Sequence, residues 1–311
     1  MTNSEKKKIE KTLKFVERKK GITRKKLSLH KWGLMTTIIS PDYYNKAAKR
    51  LDPSMVDPIV EFFNDAEEED RETLIVLLRR LYIYKIDKIP LFFIDVIMDD
   101  SIAMAVRKLA SIHLMQCCVK IPLDTIKKIY ETKEFRCEIL GSLSLCEDEA
   151  RHEFAVDVLK GQPNPQITER VVHSLIAEKI TADEAKLLQM SYSQSKDIYL
   201  RYYIMELLYK SKTEDSHDFF IAAYKKERLL PSRLQAIIGL YLKSDIETAD
   251  KTMNEFVNKI MKRKNMDEHT LGDLRGMINL LSKLKDVYPE KGFHYAYETM
   301  SKIDTLKWDQ N

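Results

Sequence analysis

One phrase recurs along the chain: an arginine near the start of an apolar stretch with helical spacing. Its fullest form is Pro231-Ser-Arg-Leu-Gln-Ala-Ile-Ile-Gly-Leu-Tyr-Leu242, where Leu234, Ile237, Ile238 and Tyr241 lie three and four apart. Related phrases place arginines at positions 71, 107, 136, 170, 201, 233 and 275, separated by 36, 29, 34, 31, 32 and 42 residues. A unit of roughly 30–45 residues that cannot bury its own apolar face must stack on its neighbours. With only 8 Gly and 9 Pro in 311 residues, and no alternating β-branched runs, the economical reading is all-α.

Between the arginines the apolar pattern alternates as helical pairs: about 53–66 with 71–84, 88–98 with 102–116, and 122–131 with 135–146. Further pairs follow at 149–159 with 167–178, 181–191 with 197–210, 215–226 with 231–243, and 246–262 with 268–285. A closing helix spans 290–305. The expected organisation is a basic N-terminal arm or cap over 1–40, a repeat array over 41–285 and a capping helix with tail over 286–311.

Charge is unevenly placed. Residues 1–50 carry 15 Lys and Arg against 4 Asp and Glu, a net of +11, which leaves the remainder at −7 within the overall +4. The segment 4–20 predicts a helix with a narrow apolar stripe (Ile9, Leu13, Val16) and Gly21 as its C-cap. Two readings follow from it. The arm closes the end of the array, or it offers Lys6, Lys7, Lys8, Arg18, Lys19, Lys20, Arg24, Lys25 and Lys26 to the phosphates of a nucleic acid.

The phrases Ala105-Val-Arg-Lys-Leu-Ala110 and Pro231-Ser-Arg-Leu-Gln-Ala236 resemble the second helices of HEAT or armadillo-type repeats. Asp70-Arg71 and Asp197…Arg201 follow the pattern in looser form. The resemblance covers roughly 41–285 and implies a right-handed α-α superhelix, a solenoid of about six to seven degenerate hairpins. It implies no particular function, because that fold hosts many. Within HEAT-like folds, the alkylpurine DNA glycosylases are similar in length class and helical pairing. They rely on tryptophans in a basic groove, whereas Trp32 and Trp308 lie outside the repeats here and the repeat body is net acidic.

Motifs for other chemistry are sparse. Cys117, Cys118, Cys137 and Cys146 fit free thiols in a reducing cytoplasm, and no apolar segment follows the lysines of the N-terminus. His113, Cys117 and Cys146 could approach a zinc set, but the paired C-x-x-C knuckles are absent, and buried thiols are the simpler reading. Glu149-x-x-His152 has no second copy, as a di-iron bundle requires. No phosphate-cradling or nucleophile motif is present, so neither a cofactor nor an enzymatic role is expected. Of the 15 tyrosines, Tyr199, Tyr202, Tyr203 and Tyr209 are candidate anchors for a protein or peptide in a solenoid groove. The expected role is a cytoplasmic protein- or peptide-binding scaffold or regulator. Nucleic-acid binding through residues 1–31 is the alternative, and a glycosylase-like enzyme is a minor one.

Overall fold

Every regular element among the described residues is helical, in keeping with the scarcity of turn formers. The computed structural model describes residues 1–27, 42–161, 164–213, 216–263 and 265–303, with side chains in the first stretch described to residue 20. Trp32 and Trp308 lie outside the described residues. The chain divides into two compact units, Met1–Asp148 and Glu149–Asn311.

The first unit contains α1 (Asn3–Leu27), α2 (Asp42–Ala48), α3 (Val56–Asp65), α4 (Glu68–Leu81), α5 (Lys88–Met98), α6 (Met104–Cys117), α7 (Leu123–Glu131) and α8 (Arg136–Leu140). Helices α3 and α4, α5 and α6, and α7 and α8 pair as hairpins, while α2, α4, α6 and α8 pack on one another in succession. Two expectations change here. Helix α1 runs through Gly21, because a glycine permits a left-handed cap without imposing one, and helix formers follow it. The helix expected over 135–146 breaks into 3-10 turns at Lys133–Phe135 and Leu143–Leu145 around a short α8, where Gly141 and Ser142 are weak helix formers.

The second unit contains α9 (Arg151–Lys160), α10 (Pro165–Val172), α11 (Ala182–Gln194), α12 (Ile198–Lys210), α13 (His217–Lys226), α14 (Leu230–Lys243), α15 (Ile246–Met261), α16 (Glu268–Val287) and α17 (Phe293–Ser301). Side-chain caps start these helices cleanly: Asn164, Asp197, Asp245 and Asp267 each accept a first-turn backbone N–H, and Thr181 with Glu184 forms a capping box. Helices α10, α12, α14 and α16 follow one another as the second helices do in the first unit, and α17 packs against both α15 and α16. Helix α14 is the most buried. At Gly239 its backbone meets the Phe220 ring, where an added Cβ would sit 2.3 Å from ring carbons, so only glycine allows this approach of α13 and α14.

The recurring arginines have a physical role in joining each pair. Arg71, Arg107, Arg201 and Arg233 each stand four residues after the helix N-cap. Arg136 stands four after the cap of the 3-10 turn that leads into α8. Each donates to a carbonyl at the C-terminal end of the preceding helix. Arg71 Nε reaches Phe63 O at 3.0 Å and Arg107 Nε reaches Ile97 O at 3.0 Å. Arg136 Nε reaches Tyr130 O at 3.0 Å, Arg201 reaches Ser195 O at 3.1 Å, and Arg233 Nε reaches Glu227 O at 2.7 Å. Carbonyls at a helix C-terminus are short of backbone donors and form the negative end of the helix dipole, so a guanidinium satisfies both needs; Phe63 O also accepts from Ala66 N at 3.3 Å. Arg170 and Arg275 do not fit this scheme. They stand six and eight residues after their caps: α10 begins earlier than expected, at Pro165, while α16 begins at Glu268 as expected and Arg275 lies two turns inside it.

Candidate partner-binding surface

Helix α12 presents the tyrosine cluster. Asp197 fixes its start by accepting from Tyr199 N at 2.7 Å and Leu200 N at 3.1 Å. Leu200, Ile204, Met205 and Leu208 turn into the core. The spacing i, i+3, i+4, i+7 then puts Tyr199, Tyr202, Tyr203 and Glu206 on one face. Tyr199 is 68% exposed, while Tyr202 and Tyr203 are half-buried. Tyr209 is buried among core residues instead and is not part of this open face.

Neighbouring helices complete the face. The Tyr203 ring stands edge-on to His173, just past α10, with ring centres 4.0 Å apart, and the Tyr202 and Tyr203 rings are 5.8 Å apart. From α14, Gln235 donates its amide N–H to the Tyr202 hydroxyl, while its Oε1 is buried with no partner. Burial lowers the pKa of His173 and raises that of Tyr202, so both rings are neutral near pH 7. Glu206 is the acid of this face, and Lys210 holds it at 2.5 Å. The result is a set of neutral rings with hydroxyl, imidazole and amide edges, suited to stacking and hydrogen bonding.

Beneath the tyrosines lies a buried ion pair that sequence reasoning missed. Glu227 is fully buried, at 0% exposure. Its carboxylate accepts from Arg201 Nε at 2.7 Å, Arg201 NH2 at 3.1 Å and the Tyr192 hydroxyl at 2.7 Å. Burial pushes the Glu227 carboxyl up, but the hydrogen bonds from Arg201 and Tyr192 and the charges of Arg201 and Lys226 outweigh it and hold it below its ordinary value. With Arg233 on its carbonyl, Glu227 ties α11, α12, α13 and α14 together next to Tyr202. The carbonyl partner stands six residues before Arg136, Arg201 and Arg233 alike, a spacing that locates the Glu227 carbonyl but not the partners of its carboxylate.

The remaining candidates separate by environment. On α1, Ile9, Leu13 and Val16 are buried, and the helix packs against α2, α3 and α4. Lys8 pairs with Asp52 at 2.7 Å, and Lys20 donates to Thr73 Oγ1 at 2.9 Å, so these two lysines tie α1 down. Lys6, Lys7, Arg18 and Lys19 are exposed. Arg24, Lys25 and Lys26 belong to α1, but their side chains lie outside the described residues.

Cys117 and Cys146 are buried, Cys118 is exposed and Cys137 is half-buried. His113 Nδ1 faces Gln116 Oε1 at 3.0 Å. His152 accepts from Ile176 N at 3.1 Å and faces Glu184 at 3.2 Å, which occupies both ring nitrogens, while Glu149 pairs with Lys179. Among the described residues no three His, Cys, Asp or Glu side chains are grouped to hold a metal. Among them, too, no helix is long and apolar enough to cross a membrane. Sequence reasoning also missed an open cleft of about 690 Å³ at the C-terminal ends of α4 and α6, where Ile83 is 75% exposed beside Tyr84, Arg79 and Arg80.

The fold is thus an all-helical one built from paired helices. No family model, curated protein or solved structure matches the chain.

Proposed function

We propose that the chain is a non-enzymatic scaffold built of degenerate HEAT-like hairpins, which binds an extended segment of a partner protein on the second-helix face of its second unit. The observation that carries this reading is the alignment of His173, Tyr202, Tyr203 and Gln235, drawn from the α10 end, α12 and α14, beside the exposed Tyr199. Tyrosine anchors on rigid helices offer contact area at low entropic cost. The Arg201–Glu227–Tyr192 cluster fixes the platform underneath. A right-handed superhelix is the architecture that this reading implies.

The test is affinity capture from the native host after nuclease treatment, using wild-type chain and Tyr199→Ser/Tyr203→Ala. Recovery of one protein that the double variant loses, with its urea midpoint retained, supports the reading. Equal recovery by the variant, or recovery of no partner protein, overturns it. Truncation of residues 1–30 is the wrong perturbation, because it would uncover the core beneath Ile9, Leu13 and Val16.

A further inference from the structure

Helix α1 has two faces with different tasks. Ile9, Thr12, Leu13 and Val16 are buried on one side. On the opposite side Lys7, Lys11, Lys14 and Arg18, spaced four, three and four apart, form a continuous exposed row. At 1.5 Å per residue the row is about 16 Å long. None of the four has an acidic partner within salt-bridge distance among the described residues, whereas the neighbouring Lys8 does. Like charges at these spacings each cost a helix roughly 0.2–0.5 kcal/mol. Glu10, three and four residues from Lys7 and Lys14, and Glu17, three from Lys14, offset part of this repulsion, and a bound anion would remove the rest.

The surroundings choose the anion. On one flank the row broadens, because the Arg50 guanidinium from the end of α2 covers the Phe15 ring at 3.8 Å and Lys19 is close by. On the other flank stand Glu10 and Glu17, the latter beside the acidic start of α4. No open aromatic side chain lies on the row, so there is no platform for stacking unpaired bases. No apolar side chain projects from it either, so it has nothing to insert among lipid tails. An acidic peptide would find no anchor pocket there. What remains is a rigid line of cations at spacings of about 4.5–6 Å, suited to a row of phosphates.

We infer that the Lys7–Lys11–Lys14–Arg18 face of α1 is a docking surface for the phosphate backbone of a nucleic-acid duplex, bound without regard to sequence. The row offers cations and no base-reading amides, which makes its contacts positioning ones. This surface is independent of the tyrosine face and stands or falls separately from it.

The experiment is fluorescence anisotropy with the full chain and two labelled 24-base-pair DNA duplexes of unrelated sequence, titrated from 50 to 200 mM salt. Four neutralised phosphates give a slope of about −3.6 in log affinity against log salt, a loss of roughly 100-fold across that range. Lys11→Gln/Lys14→Gln should halve the slope to about −1.8. Both side chains face solvent, so the urea midpoint should hold or rise slightly. Lys160→Gln/Lys186→Gln removes the same charge from the second unit and should leave the slope unchanged. The inference is overturned by an absence of binding at 50 mM salt or by a slope that the α1 variant leaves intact. It is equally overturned if the charge-matched control produces the same loss, or if single-stranded DNA or phosphatidylserine vesicles bind more tightly than the duplex.

Discussion

Replacing Glu227 by Gln tests the reasoning most severely, because it keeps shape and removes only charge. In the native chain the Arg201 guanidinium is 11% exposed and meets a carboxylate that is 1% exposed at 2.7 Å. Two charges about 4 Å apart attract by about 4 kcal/mol at an effective dielectric constant of 20. The amide retains an acceptor for Arg201 and Tyr192 but leaves a buried cation uncompensated, so we expect a loss of about 3–5 kcal/mol. That is a large share of a typical stability of about 5–15 kcal/mol. With an m value near 2 kcal/mol/M, the urea midpoint should fall by about 1.5–2.5 M. Arg201→Met should cost a similar amount, and the double variant should cost clearly less than the sum, because it leaves neither charge stranded. The pH dependence has a definite sign. The Glu227 carboxyl lies below its ordinary 4.5 in the folded chain, so its contribution is complete above that pH and is lost as pH falls through the folded value. The difference between wild type and Glu227→Gln should therefore shrink on acidification and be level above about pH 5.5. A cost under 1 kcal/mol at pH 7, or strictly additive single variants, would refute the pairing.

Arg107→Ala and Arg233→Ala should each destabilise by about 1–3 kcal/mol in urea titrations, since each strands a carbonyl at the end of the preceding helix; a neutral result at both sites would reduce the recurring arginine to a surface coincidence. Gly239→Ala should lower stability by about 1–3 kcal/mol or more in thermal melts, because the new methyl meets the Phe220 ring. A maleimide at pH 7.5 should label Cys118 well before Cys117, whose thiol burial pushes up to about 11; mass spectrometry of peptides finding Cys117 first would contradict the packing at the end of α6.

The helices were legible where periodicity and caps agreed. Residues 197–210 carry Asp197 as cap and a clear core stripe, and α12 follows that span closely. Residues 135–146 were misread because an apolar pattern does not register a weak point such as Gly141-Ser142. The tyrosines were legible as a group but not as a surface. Tyr209 shares their sequence spacing, yet it differs in direction by the few tens of degrees that separate core from solvent. Glu227 was illegible for a different reason. Its role depends on which helix ends converge, and no local pattern states that.

The arginine ladder also determines which cations are free to do anything else. Arg71, Arg107, Arg136, Arg201 and Arg233 resemble a basic array in the sequence, but each is held by carbonyl oxygens of the preceding helix. A guanidinium suits that task, because its fixed fork can serve two acceptors at once, as Arg71 does with Phe63 O and Asn64 O. Lysine is the poorer choice at a helix end and the better one on an open face, where a mobile, hydrated charge meets a phosphate without a set geometry. The division follows that logic: arginine dominates the joints between paired helices, and lysine dominates the solvent row of α1. If the division is functional, exchanging the two residue types should be asymmetric. Arg107→Lys should lose most of the stability that Arg107→Ala loses, since a single ammonium cannot serve both Ile97 O at 3.0 Å and Asp100 at 2.7 Å from the same geometry. Lys11→Arg/Lys14→Arg should leave both the urea midpoint and the salt slope of duplex binding unchanged, because the row acts through charge alone. Equal tolerance at both places would mean that the residue types were distributed without regard to either task.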